Sequence, residues 1–180
     1  MKKKLRILFL MGAISGASMV SAMPYLSVGL NAVSLDGINS NYQQSYQVTL
    51  GYEFPIVTGL ALSIEGSGLP SVSENVGKHT VNLNNTWEFL GGVHLRANRW
   101  GIFAKGGVAS LQGALAGAPD NQAQEWHPAV AGGIEWAYNP HAAFYLQYLQ
   151  TIGTDLQTQD QHINNMPTLS ILTLGLTIRI

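Results

Sequence analysis

The chain has no cysteine among its 180 residues. No disulfide can brace it, and no thiol is on hand as nucleophile or metal ligand. Charge is scarce as well. Asp, Glu, Lys and Arg make up 11% of the chain, against about 25% in an ordinary soluble domain. Long apolar runs are also missing. The only sustained one, from Ile7 to Val20, spans about 14 residues, short of the roughly 20 that a membrane-crossing helix needs.

Basic residues are few and unevenly placed. Four of the nine, Lys2, Lys3, Lys4 and Arg6, stand just before that apolar stretch. A basic head, a Gly- and Ser-broken apolar middle and Val20-Ser21-Ala22 together read as a secretory signal peptide, cut before Met23. No cysteine follows it, which excludes a lipoprotein anchor. The expected organisation is a signal peptide over 1–22 and one domain over 23–180. That domain holds five basic against ten acidic residues, a balance that excludes nucleic-acid binding. An exported chain without disulfides, helical spans or much charge points to strands closed into a transmembrane barrel.

Alternation of period two carries that reading, because successive side chains of a strand point to opposite faces. Leu172, Leu174, Leu176, Ile178 and Ile180 oppose Thr173, Gly175, Thr177 and Arg179. Tyr46, Val48, Leu50, Tyr52 and Phe54 oppose Gln47, Thr49, Gly51 and Glu53. Leu60, Leu62 and Ile64 repeat the pattern, as do Leu26, Val28 and Leu30. Four further segments, starting near Trp87, Ile102, Ala129 and Phe144, follow it with more noise. In one of them Leu90 falls on the polar side. Eight strands of about nine to eleven residues suit a tilted crossing of a bilayer.

Short connections at 55–58, 97–99 and 139–141 alternate with long ones at about 33–41, 66–82, 110–125 and 151–167, the pattern of an outer-membrane barrel with its short turns in the periplasm. The polar face is mostly Gly, Ala, Ser, Thr and Gln, which suits a narrow lumen better than a solvated exterior. Aromatics form two girdles: Tyr52, Phe54, Trp100, Trp136 and Tyr138 beside the short turns, and Tyr42, Tyr46, Trp87 and Trp126 toward the long loops. The fold class is therefore an all-β, eight-stranded, antiparallel up-and-down transmembrane β-barrel.

Four segments carry a family resemblance: P-Y-L-S-V-G-L at 24–30, G-Y-E-F at 51–54, A-G-G-I-E-W-A-Y-N-P at 131–140 and the closing L-T-L-G-L-T-I-R-I. The chain resembles the OmpA/OmpX-type family of small outer-membrane β-barrels over nearly all of 23–180. The resemblance implies a Gram-negative outer-membrane location, handling by the barrel-assembly machinery and contact with outer-membrane lipids. Barrels of this type usually end in an aromatic residue, whereas this sequence ends in Ile180.

Inward parity collects nearly all the charge of the strands. Glu53, Glu65, Glu88 and Glu135 share it with Arg96, Lys105, Arg179 and His94. Eight strands leave just enough interior for side chains, so the expectation is a lumen plugged by an ionic network. In two layers, Glu53, Glu135, Arg96 and Arg179 sit toward the periplasm, with Glu65, Lys105 and Glu88 above. A narrow ion or small-solute channel is the alternative.

The histidines outside the strands, such as His127 near Glu125 and His162 near Asp160, show no spacing of a catalytic triad or metal cluster. The reading is therefore a non-enzyme without cofactor or metal, with an outer-membrane lipid-modifying enzyme as the second alternative. The long loops carry Asp36, Glu74, Asp120, Glu125, Asp155 and Asp160 against Lys78. They would hold any extracellular ligand of a monomeric barrel with a structural, adhesin-like or surface-antigen role.

Overall fold

A computed structural model of the protein describes residues 22–35, 43–70, 72–76, 79–115, 123–152, 157–158, 161–162 and 169–180. The expected signal segment, apart from Ala22, lies outside these residues, as does Tyr42 of the expected upper girdle. The strands are β1 (Met23–Leu35), β2 (Gln43–Val57), β3 (Leu60–Leu69), β4 (Val72–Val76), β5 (His79–Ala97) and β6 (Trp100–Leu115). They continue with β7 (Ala123–Asn139), β8 (Ala142–Thr151), β9 (Gln157–Thr158), β10 (Gln161–His162) and β11 (Leu169–Arg179).

The strands pair antiparallel in the order β3-β2-β1-β11-β8-β7-β6-β5-β4, and β3 also pairs with β5. That last pairing closes the sheet on itself, since Leu60 meets Leu95 and Leu69 meets Thr86. β4 continues the β3 line beyond Pro70 and pairs with the start of β5, so the wall is a closed eight-stranded barrel. Closure satisfies every backbone donor and acceptor of the wall without an open edge, the condition for crossing hydrocarbon. β9 and β10 form a separate small hairpin.

Two-residue turns join the strands at one end. Val57 and Leu60 flank Thr58–Gly59, and Gly59 has a φ of 82°, where a side chain would be strained. Ala97 and Trp100 flank Asn98–Arg99, with Asn98 at a φ of 56°, a conformation that asparagine tolerates best. In the third turn the Asn139 carboxamide oxygen accepts from the amides of His141 and Ala142, at 2.8 and 2.7 Å.

At the other end the strands outrun the expected loops. β3 extends to Leu69, β4 and the start of β5 lie within 66–82, β6 reaches Leu115, and β7 begins at Ala123. Apolar alternation does not mark these parts. Val72-Ser73-Glu74-Asn75-Val76 pairs as a strand although it is mostly polar. Above the hydrocarbon, backbone pairing persists without any need for an apolar face.

The apolar parity faces outward. Tyr46, Val48, Leu50, Tyr52, Phe54 and Ile56 are all exposed along β2. Ten residue steps cover about 34 Å of strand, or about 25 Å of height at the usual barrel tilt, matching the apolar band of an outer-membrane barrel. Tyr46, Tyr52, Phe54, Trp87, Trp100, Trp126 and Tyr138 stand exposed on this face. Trp136 is only half-buried because Phe144 stacks on it at 6.0 Å and Tyr138 meets it edge-on at 6.2 Å.

Candidate functional site

Among the described residues, the lumen is where the strands bring ionisable side chains together. Inward parity places Glu53 on β2, Arg96 on β5, Glu135 on β7 and Arg179 on β11, all near the short turns. Arg96 donates through Nη1 to Glu53 and through Nε to Glu135. Arg179 reaches the same two carboxylates, Nε to Glu53 Oε2 at 3.2 Å and Nη2 to Glu135 Oε2 at 2.9 Å. The four groups thus form a closed, charge-neutral ring in which each carboxylate is shared by both guanidiniums. Arginine suits this task because its rigid fork can serve two acceptors at once. The chain order of the four members gives no hint of the ring, since its links join residues 39 to 126 positions apart.

His94 lies beside this ring. Its Nε2 is 3.0 Å from Ser63 Oγ, its Nδ1 is 3.4 Å from Arg96 Nη2, and its ring stacks on Phe103 at 5.3 Å. Above it Lys105 Nζ donates to both oxygens of Glu65, at 2.8 and 2.9 Å, and to Gln147 at 3.0 Å. Tyr25 donates its phenolic hydrogen to Glu65 from the opposite side. Lys105 Nζ also stands 4.5 Å from the centre of the Phe103 ring.

Glycines opposite the large inward side chains make this packing possible. A Cβ at Gly51 would stand 2.4 Å from the Tyr25 ring, and one at Gly175 would stand 2.4 Å from the Tyr145 ring. Those two rings therefore lie flat across neighbouring strands and fill the bore. The space left among Tyr25, Glu65, His94, Phe103, Lys105 and Tyr145 is a cavity of about 30 Å³, room for one or two waters.

Glu88 stands apart from both ion-paired groups. It is 1% exposed, accepts from Gln47 Nε2 at 2.9 Å, and its other oxygen has no hydrogen-bond partner among the described residues. No salt bridge joins it to a basic group among those residues. Gln47 in turn accepts from Thr173 at 3.4 Å, so a polar seam crosses the barrel at this height.

Toward the loops the filling changes character. Val33, Leu69, Leu90, Leu149, Leu169 and Ile171 pack with Ala109, Ala129 and Ala131 into a buried apolar cluster. Leu90 joins this cluster from an inward position of β5, with the buried Glu88 as the next inward residue toward the loops. The sequence reading missed this cluster. Val33, Leu69 and Leu169 fall in or beside segments read as loops, and Ser170-Ile171-Leu172 hides the phase of the alternation. The detectable signal was a recurrence of apolar residues on inward parity only near the loop ends.

Among the described residues no three His, Cys, Asp or Glu side chains gather as a metal site. His127, read from the sequence as lying outside the strands, is a buried residue of β7, while Asp155, Asp160 and the side chains of Glu125 and His162 lie outside the described set.

Comparison with known proteins agrees with this architecture. Solved structures with the same fold include Ail, the attachment invasion locus protein of Yersinia pestis, at 10% identity and a TM-score of 0.61, covering 88% of this chain and 97% of that one. Neisserial surface protein A matches at 8% identity and a TM-score of 0.57, with coverage of 88% and 97%. The N-terminal barrel of Pseudomonas aeruginosa OprF matches at 7% identity and a TM-score of 0.51, with coverage of 89% and 100%. At such identities the likeness is one of fold. No curated protein matches the chain by sequence. The model of the outer membrane protein beta-barrel domain matches residues 7–179, and the chain accordingly belongs to that family of Gram-negative outer-membrane barrels.

Proposed function

We propose that this protein is a surface-interaction barrel, adhesin-like, whose lumen is a structural filling and whose working surface lies on the long-loop side. The observation that carries the reading is the contrast between a filled bore and a prolonged outer sheet. The arginine–glutamate ring, the Lys105–Glu65 layer and the apolar cluster occupy the bore in succession, leaving about 30 Å³ between the ionic layers. A hydrated ion needs a continuous wet path, and small barrels of this size fill their interiors with side chains.

On the loop side β4, β5, β6 and β7 continue as a sheet past the level of Trp87 and Trp126. Val81 still pairs with Leu115, six residues beyond Trp87, or about 20 Å along the strand. Among the described residues β4 pairs with β5 alone and β7 meets β8 from Pro128 onward, so the described sheet ends in backbone edges on both sides. Such edges accept a strand from a partner. Ail, a protein named for attachment and invasion, shares the fold, and one of its structures holds the heparin analogue sucrose octasulfate. The segments read as long loops carry six acidic residues against Lys78, with Glu74 and Glu125 on the prolonged strands β4 and β7, so its own ligand should be neutral or basic rather than sulfated.

The test is adhesion of cells displaying the protein to immobilised matrix proteins, with and without residues 71–80. Adhesion that falls to background in the deletion, with heat-modifiable gel mobility retained, supports the reading. Large, steady conductance of the intact barrel in planar bilayers would overturn it in favour of a channel. Changed lipid A mass spectra in cells lacking the protein would favour a lipid-modifying enzyme. We also propose cleavage before Met23 and a monomeric barrel, which the intact mass of the purified protein and its native mass test directly.

A further inference from the structure

Charge outside the lumen is distributed in an extreme way. The described carboxylates, Glu53, Glu65, Glu88 and Glu135, are all buried inside the barrel. The other six acidic residues belong to the loop side. Of the five basic residues after the signal segment, Arg96, Lys105 and Arg179 are ion-paired in the lumen and Lys78 belongs to a loop. The fifth, Arg99, is exposed in the Asn98–Arg99 turn. Among the described residues it is the single Asp, Glu, Lys or Arg side chain exposed on the short-turn rim.

Beside this turn on the outer wall lies a groove of about 460 Å³, lined by Ala97 and Trp100 on either side of the turn but not by Arg99 itself. Its floor is one rung of the sheet, where Leu60, Leu95, Ile102 and Ile134 are consecutive cross-strand partners that all face outward. Trp100, 61% exposed, walls it at the end nearest the turn. Ala97, its partner across the hairpin, leaves the gap. The turn places a cation at headgroup height, an indole at the interface and an apolar trough within the hydrocarbon.

We propose that this groove is a site for one anionic glycerophospholipid of the periplasmic leaflet. Its phosphodiester, with no headgroup cation to offset it, pairs with Arg99, its glycerol region packs on Trp100, and one acyl chain lies over the Leu60–Ile134 rung. Charge complementarity names this occupant: the groove is apolar and its rim carries one unpaired positive charge. The site is independent of the loop-side function proposed above.

Native mass spectrometry of the refolded barrel tests it, with phosphatidylglycerol or phosphatidylethanolamine of matched acyl chains added to detergent micelles. The expected result is one retained phosphatidylglycerol, favoured about fivefold over phosphatidylethanolamine, the size of one basic side chain's attraction to an anionic membrane. Arg99→Gln should erase the preference, and Arg99→Lys should keep most of it. Ala97→Phe, which fills the gap without touching charge, should lower retention of both lipids. Heat-modifiable mobility certifies that each variant is folded. Equal retention of the two lipids, retention unchanged by Arg99→Gln and Ala97→Phe, or dimers in place of lipid adducts would each overturn the proposal.

Discussion

Near the short turns the lumen holds Glu53, Arg96, Glu135 and Arg179, whereas toward the loops it holds Val33, Leu69, Leu149, Leu169 and Ile171. Both sets sit on the same inward parity. On β11 Arg179 and Ile171 point into the same bore eight residues apart. The two halves answer the same demand, filling a bore too narrow to stay open, by different physics. Apolar side chains gain from burial itself and tolerate several arrangements of similar volume. Buried charges gain only if each is matched, since desolvation costs several kcal/mol per ion, so the ring admits few arrangements. One half supplies adaptable packing, and the other imposes a register on four strands at once.

The largest break in this contrast should come from Glu53→Ala. It leaves Arg96 and Arg179 sharing Glu135 alone, and an uncompensated buried charge costs about 3–5 kcal/mol. Urea titration of the barrel refolded in liposomes measures it through the unfolding midpoint. In the apolar half Leu149→Ala should cost about 3 kcal/mol, set by lost transfer energy and the cavity left behind. The same titration reads it.

A sharper comparison uses a double-mutant cycle on Lys105 and Glu65. Lys105→Met and Glu65→Gln should each destabilise, and together they should cost about 1–3 kcal/mol less than the sum of the two. The corresponding cycle on Leu149 and Ile171 isolates packing without charge. Smallest of all is Glu88→Gln. That carboxylate has Gln47 as its hydrogen-bond partner and no basic one among the described residues, so losing its charge should move stability by less than about 1 kcal/mol. A loss as large as that of Glu53→Ala would show that Glu88 belongs to the ionic half after all.

Alternation alone revealed the strands within the bilayer, because lipid selects strictly for one apolar face there. It is why the pattern over 46–54 and 172–180 could be read directly. The same rule fails above the membrane, where β4 and the first turns of β5 pair through their backbones with a polar, unpatterned sequence. It fails again inside, since parity says which side chains face the lumen but not which of them meet. Arg96 and Glu135 are 39 positions apart, and Arg179 and Glu53 are 126 apart. Their meeting depends on strand stagger around the closed barrel.

By itself, then, the sequence determined the eight-stranded wall and its outward face, through local alternation and turn residues that act over a few neighbours. Only the tertiary structure decided that four of the inward charges close into a neutral ring, that Leu90 and its neighbours form a buried apolar cluster, and that an apolar groove lies beside the Asn98–Arg99 turn. Those outcomes come from contacts across the bore and along rungs of several strands. Such contacts exist only once the sheet has closed with a definite shear.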